Sequence, residues 1–352
     1  MNRIACIIPA YNEEAFIEGV LTSVPDYVQH IVVINDAITD ATAEIVKRVP
    51  DPRIHLISHA TNQGVGGAVV SGYREALKLG ADIVVKIDGD GQMDARQIKR
   101  LIAPIENGNA DYAKGVRFRD ASVIKTMPVL RLIGNLGLSF LTKAASGYWN
   151  ILDPTNGFTA IERRALRQLD LDRLNKGFFL ETDMLIHLYL LDAVVVDVPF
   201  TARYGDEKSH MSLLKTLFTF PFYLFRGTVR RIFVRYFVRD FTAFSIFLIF
   251  GSLLFSVGTI MGAVKWIEVF RTAEATPTGT VVFVALLIIL GFQLLLQAAV
   301  LDINNVPTEP IQRWNGDDEP EAAYQPLHTA RADAIDPVPA DSRREESPTL
   351  QR

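Results

Sequence analysis

Two carboxylates flank one glycine where an apolar run ends, in Ile83-Val84-Val85-Lys86-Ile87-Asp88-Gly89-Asp90-Gly91-Gln92. Acids at i and i+2 converge once the chain bends, and Gly89 and Gly91 permit that bend. Oxygen ligands this close suit a hard cation, Mg2+ or Mn2+, of the kind that also holds nucleotide phosphates. A calcium loop of the EF-hand type begins alike but needs glycine at its sixth position and glutamate at its twelfth. Met93 and Lys99 stand there instead. The glycine-rich stretch Asn62-Gln63-Gly64-Val65-Gly66-Gly67-Ala68-Val69 fails as a dinucleotide fingerprint, because Val69 occupies the third glycine position. Its glycines read instead as letting a helix start close to a neighbouring backbone. A polar turn after a strand is the plain alternative for the acidic motif.

The elements that must position these acids follow from the apolar pattern. Short strands at 4–8, 31–34, 54–58 and 83–87 alternate with helices at 13–24, 39–48 and 65–79. Such alternation implies crossover units, and so an α/β domain with a mainly parallel sheet covered on both faces. Ligands of these sheets bind beyond the carboxyl ends of the strands. Tyr11, Asp36 and Asp88 each lie just past such an end.

Of the 352 residues 49% are hydrophobic, and the excess over a soluble chain is localised. Residues 241–264 and 276–301 contain no charge. Each run is long enough to cross roughly 30 Å of hydrocarbon as a helix. No cleavable signal peptide is expected, since the N-terminus leads directly into a strand. The single cysteine, Cys6, excludes an internal disulfide, fits a reducing compartment and reads as strand packing.

Residues 211–239 are rich in aromatic side chains and carry Arg226, Arg230, Arg231, Arg235 and Arg239 at helical spacing. The pattern predicts a basic helix in the lipid headgroup layer, divided in two at Pro221. A core helix and a nucleic-acid helix are the alternatives; the adjoining span disfavours nucleic acid as a partner. Positive residues beside a span stay cytoplasmic. The chain is therefore expected to be a multi-pass protein of the inner (plasma) membrane. Its large domain and C-terminus would be cytoplasmic, with the 265–275 link outside. Gly258 with Gly262, and Gln293 with Gln297, could support helix association within the hairpin or between protomers. From residue 302 the chain holds seven of the 17 prolines and 11 acids against five basic residues, a composition read as a disordered tail. The expected segments are 1–210, 211–240, 241–301 (spans near 241–264 and 279–301) and 302–352.

Several motifs together resemble the family-two inverting glycosyltransferases of the GT-A fold. Pro9-Ala10-Tyr11-Asn12-Glu13-Glu14 resembles their opening segment, and Asn35-Asp36-Ala37-Ile38-Thr39-Asp40 their acidic nucleotide-binding segment. Asp88-Gly89-Asp90 resembles their metal-binding motif, and Asp153-Pro154-Thr155-Asn156-Gly157-Phe158 a later acceptor-side motif. With the hairpin added, the chain is similar to polyprenyl-phosphate glycosyltransferases, the group of dolichol-phosphate mannose synthases and of enzymes that charge undecaprenyl phosphate. The family more often has Asp-Gly-Ser where this chain has Asp36-Ala37-Ile38.

The resemblance implies a set of roles. Pro9, Tyr11, Glu13, Asp36, Asp88 and Gly89 would hold the nucleotide of a nucleotide-sugar donor. Asp88, Asp90 and Gln92 would hold Mg2+ or Mn2+, with Asp90 and Asp153 at the centre of catalysis. The acceptor would be a polyprenyl phosphate, undecaprenyl phosphate first and dolichyl phosphate second. Arg117, Arg131, Arg203 and Lys208 would cradle its phosphate. UDP-glucose is the favoured donor, before GDP-mannose and UDP-N-acetylhexosamines. A homo-oligomer, tetrameric by resemblance, is expected. Glu181 and Asp183 read mainly as helix caps. A polysaccharide synthase, a non-catalytic scaffold and a transporter are the rivals. They are disfavoured by the few spans, the intact acidic set and the lack of a Q-x-x-R-W motif.

Overall fold

The computed structural model describes residues 2–37, 40–116, 129–201 and 213–314. Arg117, Arg203, Lys208, Ile38 and the segment 315–352 lie outside the described residues, as does the side chain of Arg131.

Among the described residues seven strands form one sheet: β1 Ile4–Ala10, β2 His30–Asn35, β3 Ile54–Ser58, β4 Ile83–Lys86, β5 Tyr112–Val116, β6 Thr159–Glu162 and β7 Val195–Pro199. Their order is β3-β2-β1-β4-β6-β5-β7. Only β6 runs antiparallel, to both β4 and β5, so the sheet is mainly parallel. Ala10 pairs with Asn35, which places Tyr11 and Asp36 side by side beyond the same edge.

Alternate side chains of the central strands enter two cores. Ile7, Val32, Ile34 and Val84 pack with α3 (Gly64–Lys78). Cys6, Ile8, Ile31, Val33 and Val85 pack on the other face with α1 (Ile17–Ser23) and α4 (Ile98–Glu106). Each fully buried Ile or Val contributes about 1.5–3 kcal/mol. Cys6 is a packing residue, its thiol pushed up to about 12 by burial. The glycines at the start of α3 have the role expected of them. The Gly66 amide donates to the Lys176 carbonyl at 2.9 Å, and a Cβ there would lie 2.1 Å from the Asn175 oxygen.

The remaining helices are α2 (Thr42–Arg48), α5 (Val129–Ser146), α6 (Arg163–Gln168), α7 (Leu180–Leu190), α8 (Leu213–Phe233), α9 (Ala243–Thr272), α10 (Thr278–Asn304) and α11 (Ile311–Trp314). Helix α8 passes through Pro221 unbroken. The proline costs about 3 kcal/mol in a helix interior. It is offset by packing of Phe220 and Tyr223 against Phe179, together with the buried Leu224.

Helices α9 and α10 are long and apolar enough to cross a membrane. Their outward side chains, among them Ile249, Phe250, Leu253, Ile289 and Phe292, are exposed apolar surface that a water-soluble fold would bury. The two helices pack through small residues. A Cβ on Gly258 would lie 2.9 Å from Leu287, and one on Gly291 would lie 2.4 Å from the Phe255 nitrogen. The Gly258 contact is therefore made within the hairpin, while Gln293 and Gln297 face outward. Helix α9 continues to Thr272, so residues 273–277 alone join the spans, fewer than the 265–275 link expected.

Composition left two features of this region unread. The arginines of 230–239 turn inward to protein partners. Arg231, 1% exposed, forks onto Asp302 at 2.7 and 2.9 Å and donates to the carbonyls of Ala144 and Ala145. Arg235 and Arg239 pair with Asp192, and Arg230 contacts His187. In addition, 302–314 is ordered. Asp302 also accepts from Tyr236 and Trp149. The amides of Ile311 and Gln312 donate to the buried carboxylate of Asp111. Averaged charge and proline content hid these specific pairings.

Candidate active site

The carboxyl edge of the sheet gathers the loops after β1, β2 and β4. Beyond β1 the chain turns at Asn12, which takes φ +59. The Glu13 amide donates to Thr42 Oγ1 at 3.0 Å, the Glu14 amide to Asp40 Oδ2, and the Ala41 amide to Glu14 Oε2. These bonds clasp the first loop to the second. Tyr11 is 44% exposed above this clasp, an open ring face suited to stacking. Gly89 closes the third side, because a Cβ there would stand 3.2 Å from Glu13 Cγ and 3.4 Å from the Pro9 oxygen. Pro9, Glu13, Gly89 and Asp88 are therefore neighbours.

Asp36 is nearly buried, and its amide donates to the Ala10 carbonyl. Its Oδ1 accepts from the Gln63 amide at 2.8 Å and lies 2.7 Å from His59 Nδ1. The next residue, Ala37, takes φ +57. The departure from glycine there has a physical cost, since a Cβ in the left-handed region costs roughly 1–2 kcal/mol. Glycine's greater freedom in the unfolded chain returns about half of that. Ala37→Gly is thus expected to raise stability by about 0.5–1 kcal/mol, seen as a higher melting temperature in detergent. An unchanged or lower melting temperature would refute the strain.

At the end of β4, Asp90 Oδ1 accepts from the Gln92 amide at 3.0 Å across Gly91, which sits at φ +74. Asp88 is held by a residue that composition does not flag. Lys86, 4% exposed at its side chain, places Nζ 2.8 Å from Asp88 Oδ1 and 3.1 Å from Glu181 Oε1 in the first turn of α7. Burial opposes its charge, but the two carboxylates outweigh burial and hold the ammonium above its ordinary range. Glu181 is thus an ion-pair partner at the site as well as a first-turn acid. The pairing joins strand β4 to a helix that begins 94 residues later, which no local pattern reveals. The available signal was a lysine within an otherwise apolar strand.

The 153–158 loop abuts the same carboxylate. A Cβ on Gly157 would lie 2.6 Å from Lys86 Nζ and 2.7 Å from Asp88 Oδ2, so glycine is needed there. Asp153 is buried, and its Oδ2 accepts from Asn156 Nδ2 at 3.4 Å. Lys114, fully buried on β5, donates to the Asn156 carbonyl and anchors the loop from below. Burial pushes its ammonium down from 10.5 to about 8, against the pull of Glu181 and Asp153. Between those values the unfolded chain holds a proton that the folded chain has released, so this contribution to stability rises with pH. Lys114→Met removes it. The melting-temperature difference between the two proteins should therefore move in favour of the wild type from about pH 8 to about pH 10. A difference that stays constant over that range would refute the assignment.

Among the described residues, no three His, Cys, Asp or Glu side chains cluster as a complete metal site. The donor set at this edge still fits a hard cation. Magnesium-type ions use one or two carboxylates and take substrate phosphate oxygens and water for the rest. Asp88 and Asp90, with the Gln92 amide oxygen, are residue types that could supply that partial set.

The profile of Glycosyl transferase family 2 matches residues 5–170. A UDP-N-acetylglucosamine–dolichyl-phosphate N-acetylglucosaminyltransferase from Methanococcus voltae is 35% identical over 181 residues, 47% of this chain and 72% of the relative. An undecaprenyl-phosphate mannosyltransferase from Micrococcus luteus is 30% identical over 204 residues, 56% of this chain and 83% of the relative. A solved glucosyl-3-phosphoglycerate synthase from Mycobacterium tuberculosis, in complex with UDP, is similar at 23% identity and a TM-score of 0.49. It covers 65% of this chain and 80% of its own.

Proposed function

The chain belongs to Glycosyl transferase family 2, and from that premise we propose that it moves a hexose from a nucleoside-diphosphate sugar to a polyprenyl phosphate. UDP-glucose is the favoured donor and undecaprenyl phosphate the favoured acceptor. The observation that carries the reading is the joining of two features. A sheet edge crowded with Asp36, Asp88 and Asp90 is built into the same body as two membrane-length helices. A polyprenyl tail resists leaving the bilayer by about 0.8 kcal/mol per CH2, so an enzyme acting on its phosphate must stand at the membrane surface. The names of the relatives carry dolichyl and undecaprenyl phosphate, with N-acetylglucosamine and mannose as sugars.

In this reading Tyr11 stacks on the base, while Asp36, Pro9 and Glu13 bound the nucleoside. Asp88, Asp90 and Gln92 hold Mg2+ or Mn2+, which when bound supplies Lewis-acid stabilisation of the departing nucleoside diphosphate. Lys86 fixes the rotation of Asp88 and keeps a positive charge beside the diphosphate. The lipid phosphate is already anionic, so it attacks the anomeric carbon without a dedicated base. The new phosphate–sugar bond forms as the bond to the nucleoside diphosphate breaks, and the configuration inverts. Asp153, fixed by its own loop, faces the acceptor side. Arg117, Arg131, Arg203 and Lys208 are proposed to receive the lipid phosphate. Catalytic domain and C-terminus are proposed to be cytoplasmic.

The test is purified protein with undecaprenyl or dolichyl phosphate, Mg2+ or Mn2+, and UDP-glucose, UDP-N-acetylglucosamine or GDP-mannose. Lipid products are read by mass spectrometry. A glycosyl phospholipid from one donor establishes the reaction and names the sugar. Intact donor binding with no lipid product from any pairing would overturn the acceptor assignment.

A further inference from the structure

Asp36 does not stand alone. His59, on the segment after β3, reaches it with Nδ1 at 2.7 Å, and the opposite ring nitrogen, Nε2, lies 2.9 Å from Ser71 Oγ on α3. A carboxylate only accepts, so Nδ1 carries the hydrogen and donates to Asp36. In the neutral ring Nε2 then accepts from the Ser71 hydroxyl. The Gln63 amide donates to the same oxygen of Asp36 at 2.8 Å. Two donors converging on Oδ1 fix the rotation of the carboxylate, and with it the direction of Oδ2.

A cavity of about 400 Å3 lies against His59, Gln63 and Ser71. The His59 side chain is 7% exposed, and the Ser71 hydrogen bond gives its ring a second polar contact opposite Asp36. Helix α3 supplies the rigid mount, with Gly72, the residue after Ser71, set tightly against Ile7 and Ile34 of the sheet.

We propose that His59 and Ser71 are positioning residues for donor recognition: Ser71 holds the His59 ring, and His59 orients the Asp36 carboxylate that meets the nucleoside. The inference rests on the glycosyltransferase reading for the role of Asp36. The relay touches neither the sugar nor the lipid phosphate, so it governs donor binding and leaves the chemical step alone.

Two substitutions separate this role from general support of the fold. The amide nitrogen of asparagine overlays Nδ1 and keeps the donor to Asp36, whereas that of glutamine overlays Nε2 and keeps only the Ser71 contact. Binding of UDP and of GDP, each with Mn2+, is measured by calorimetry on the full chain in detergent. His59→Gln is expected to weaken binding of the preferred nucleotide about tenfold, Ser71→Ala about threefold, and His59→Asn less than about threefold. Once the donor sugar is known, KM for it should rise in the same order while kcat stays within about twofold. Equal binding by the Asn and Gln variants, or a fall confined to kcat, would overturn the relay. Wild-type protein that binds neither nucleotide would instead overturn the glycosyltransferase reading beneath it.

Discussion

Asp90→Ala should lower sugar transfer at least about a thousandfold, the largest loss expected from any single change at the site. A metal that stabilises the departing diphosphate supplies several kcal/mol to the transition state, and about 4 kcal/mol corresponds to three powers of ten in rate. Asp90 is the better target of the two acids. Asp88 also neutralises Lys86 at 2.8 Å, so changing it disturbs a buried cation as well as the metal set. Asp90 instead forms the turn with the Gln92 amide, a contact whose loss costs about 1 kcal/mol. A second signature separates metal loss from misfolding. Nucleotide binding by the variant should lose its dependence on Mn2+ while its melting temperature stays close to that of the wild type. More than a tenth of wild-type turnover in Asp90→Ala would remove Asp90 from the metal set.

The second large effect lies far from the nucleotide, at Asp302. Asp302→Ala strips Arg231 of both carboxylate bonds while the guanidinium remains 1% exposed. Breaking a buried pair by removing one partner costs about 3–5 kcal/mol, which is about 4–7 °C in melting temperature for a protein of this size. The cation–π contact of Arg231 with Tyr189 at 4.9 Å and the two carbonyl contacts remain, but they do not neutralise the charge. Because unfolding in detergent is often irreversible, the comparison needs one scan rate. The double variant Arg231→Met with Asp302→Leu should recover most of the loss, since apolar replacement of a buried pair is often neutral or better. A shift below about 2 °C for Asp302→Ala would show that water reaches Arg231 and that the pair is not structural.

The architecture was legible where physics is local. Apolar runs of four or five residues marked β1 to β4. Their alternation with helices fixed the parallel crossovers, and charge-free stretches marked the two long helices. Asp36, Asp88 and Asp90 were legible because polar residues just past strand ends have few structural reasons to be there. What could not be read is long-range pairing. Lys86 resembles a misplaced surface residue until Glu181 is brought beside it. The arginine stripe of 230–239 has the composition of a headgroup-binding helix, yet Arg231 pairs with Asp302 and Arg235 and Arg239 share Asp192. Pro221 is a breaker by propensity, and aromatic packing overrides it. Helix starts were placed early at 13 and 39, against Ile17 and Thr42 in the structure. The intervening residues are used to tie the two loops together rather than to lengthen the helices.

The return of the chain after its second long helix also sets an order of assembly. Asp111 opens strand β5, and its buried carboxylate is met by the amides of Val194, Ile311 and Gln312. Burial pushes that carboxyl up, so each amide donor matters to holding it charged. Two of the three donors follow both apolar helices in the chain and are therefore synthesised after them. Asp302, the partner of Arg231, is likewise made some 70 residues after the arginine it neutralises. A nascent chain that has not yet placed its hairpin therefore carries an unfinished sheet edge and an uncompensated guanidinium, and matures only when the last helix comes home. A ribosome-stalled chain ending before residue 302 lacks these partners and is expected to be more protease-sensitive around Asp111 and Arg231 than the full chain.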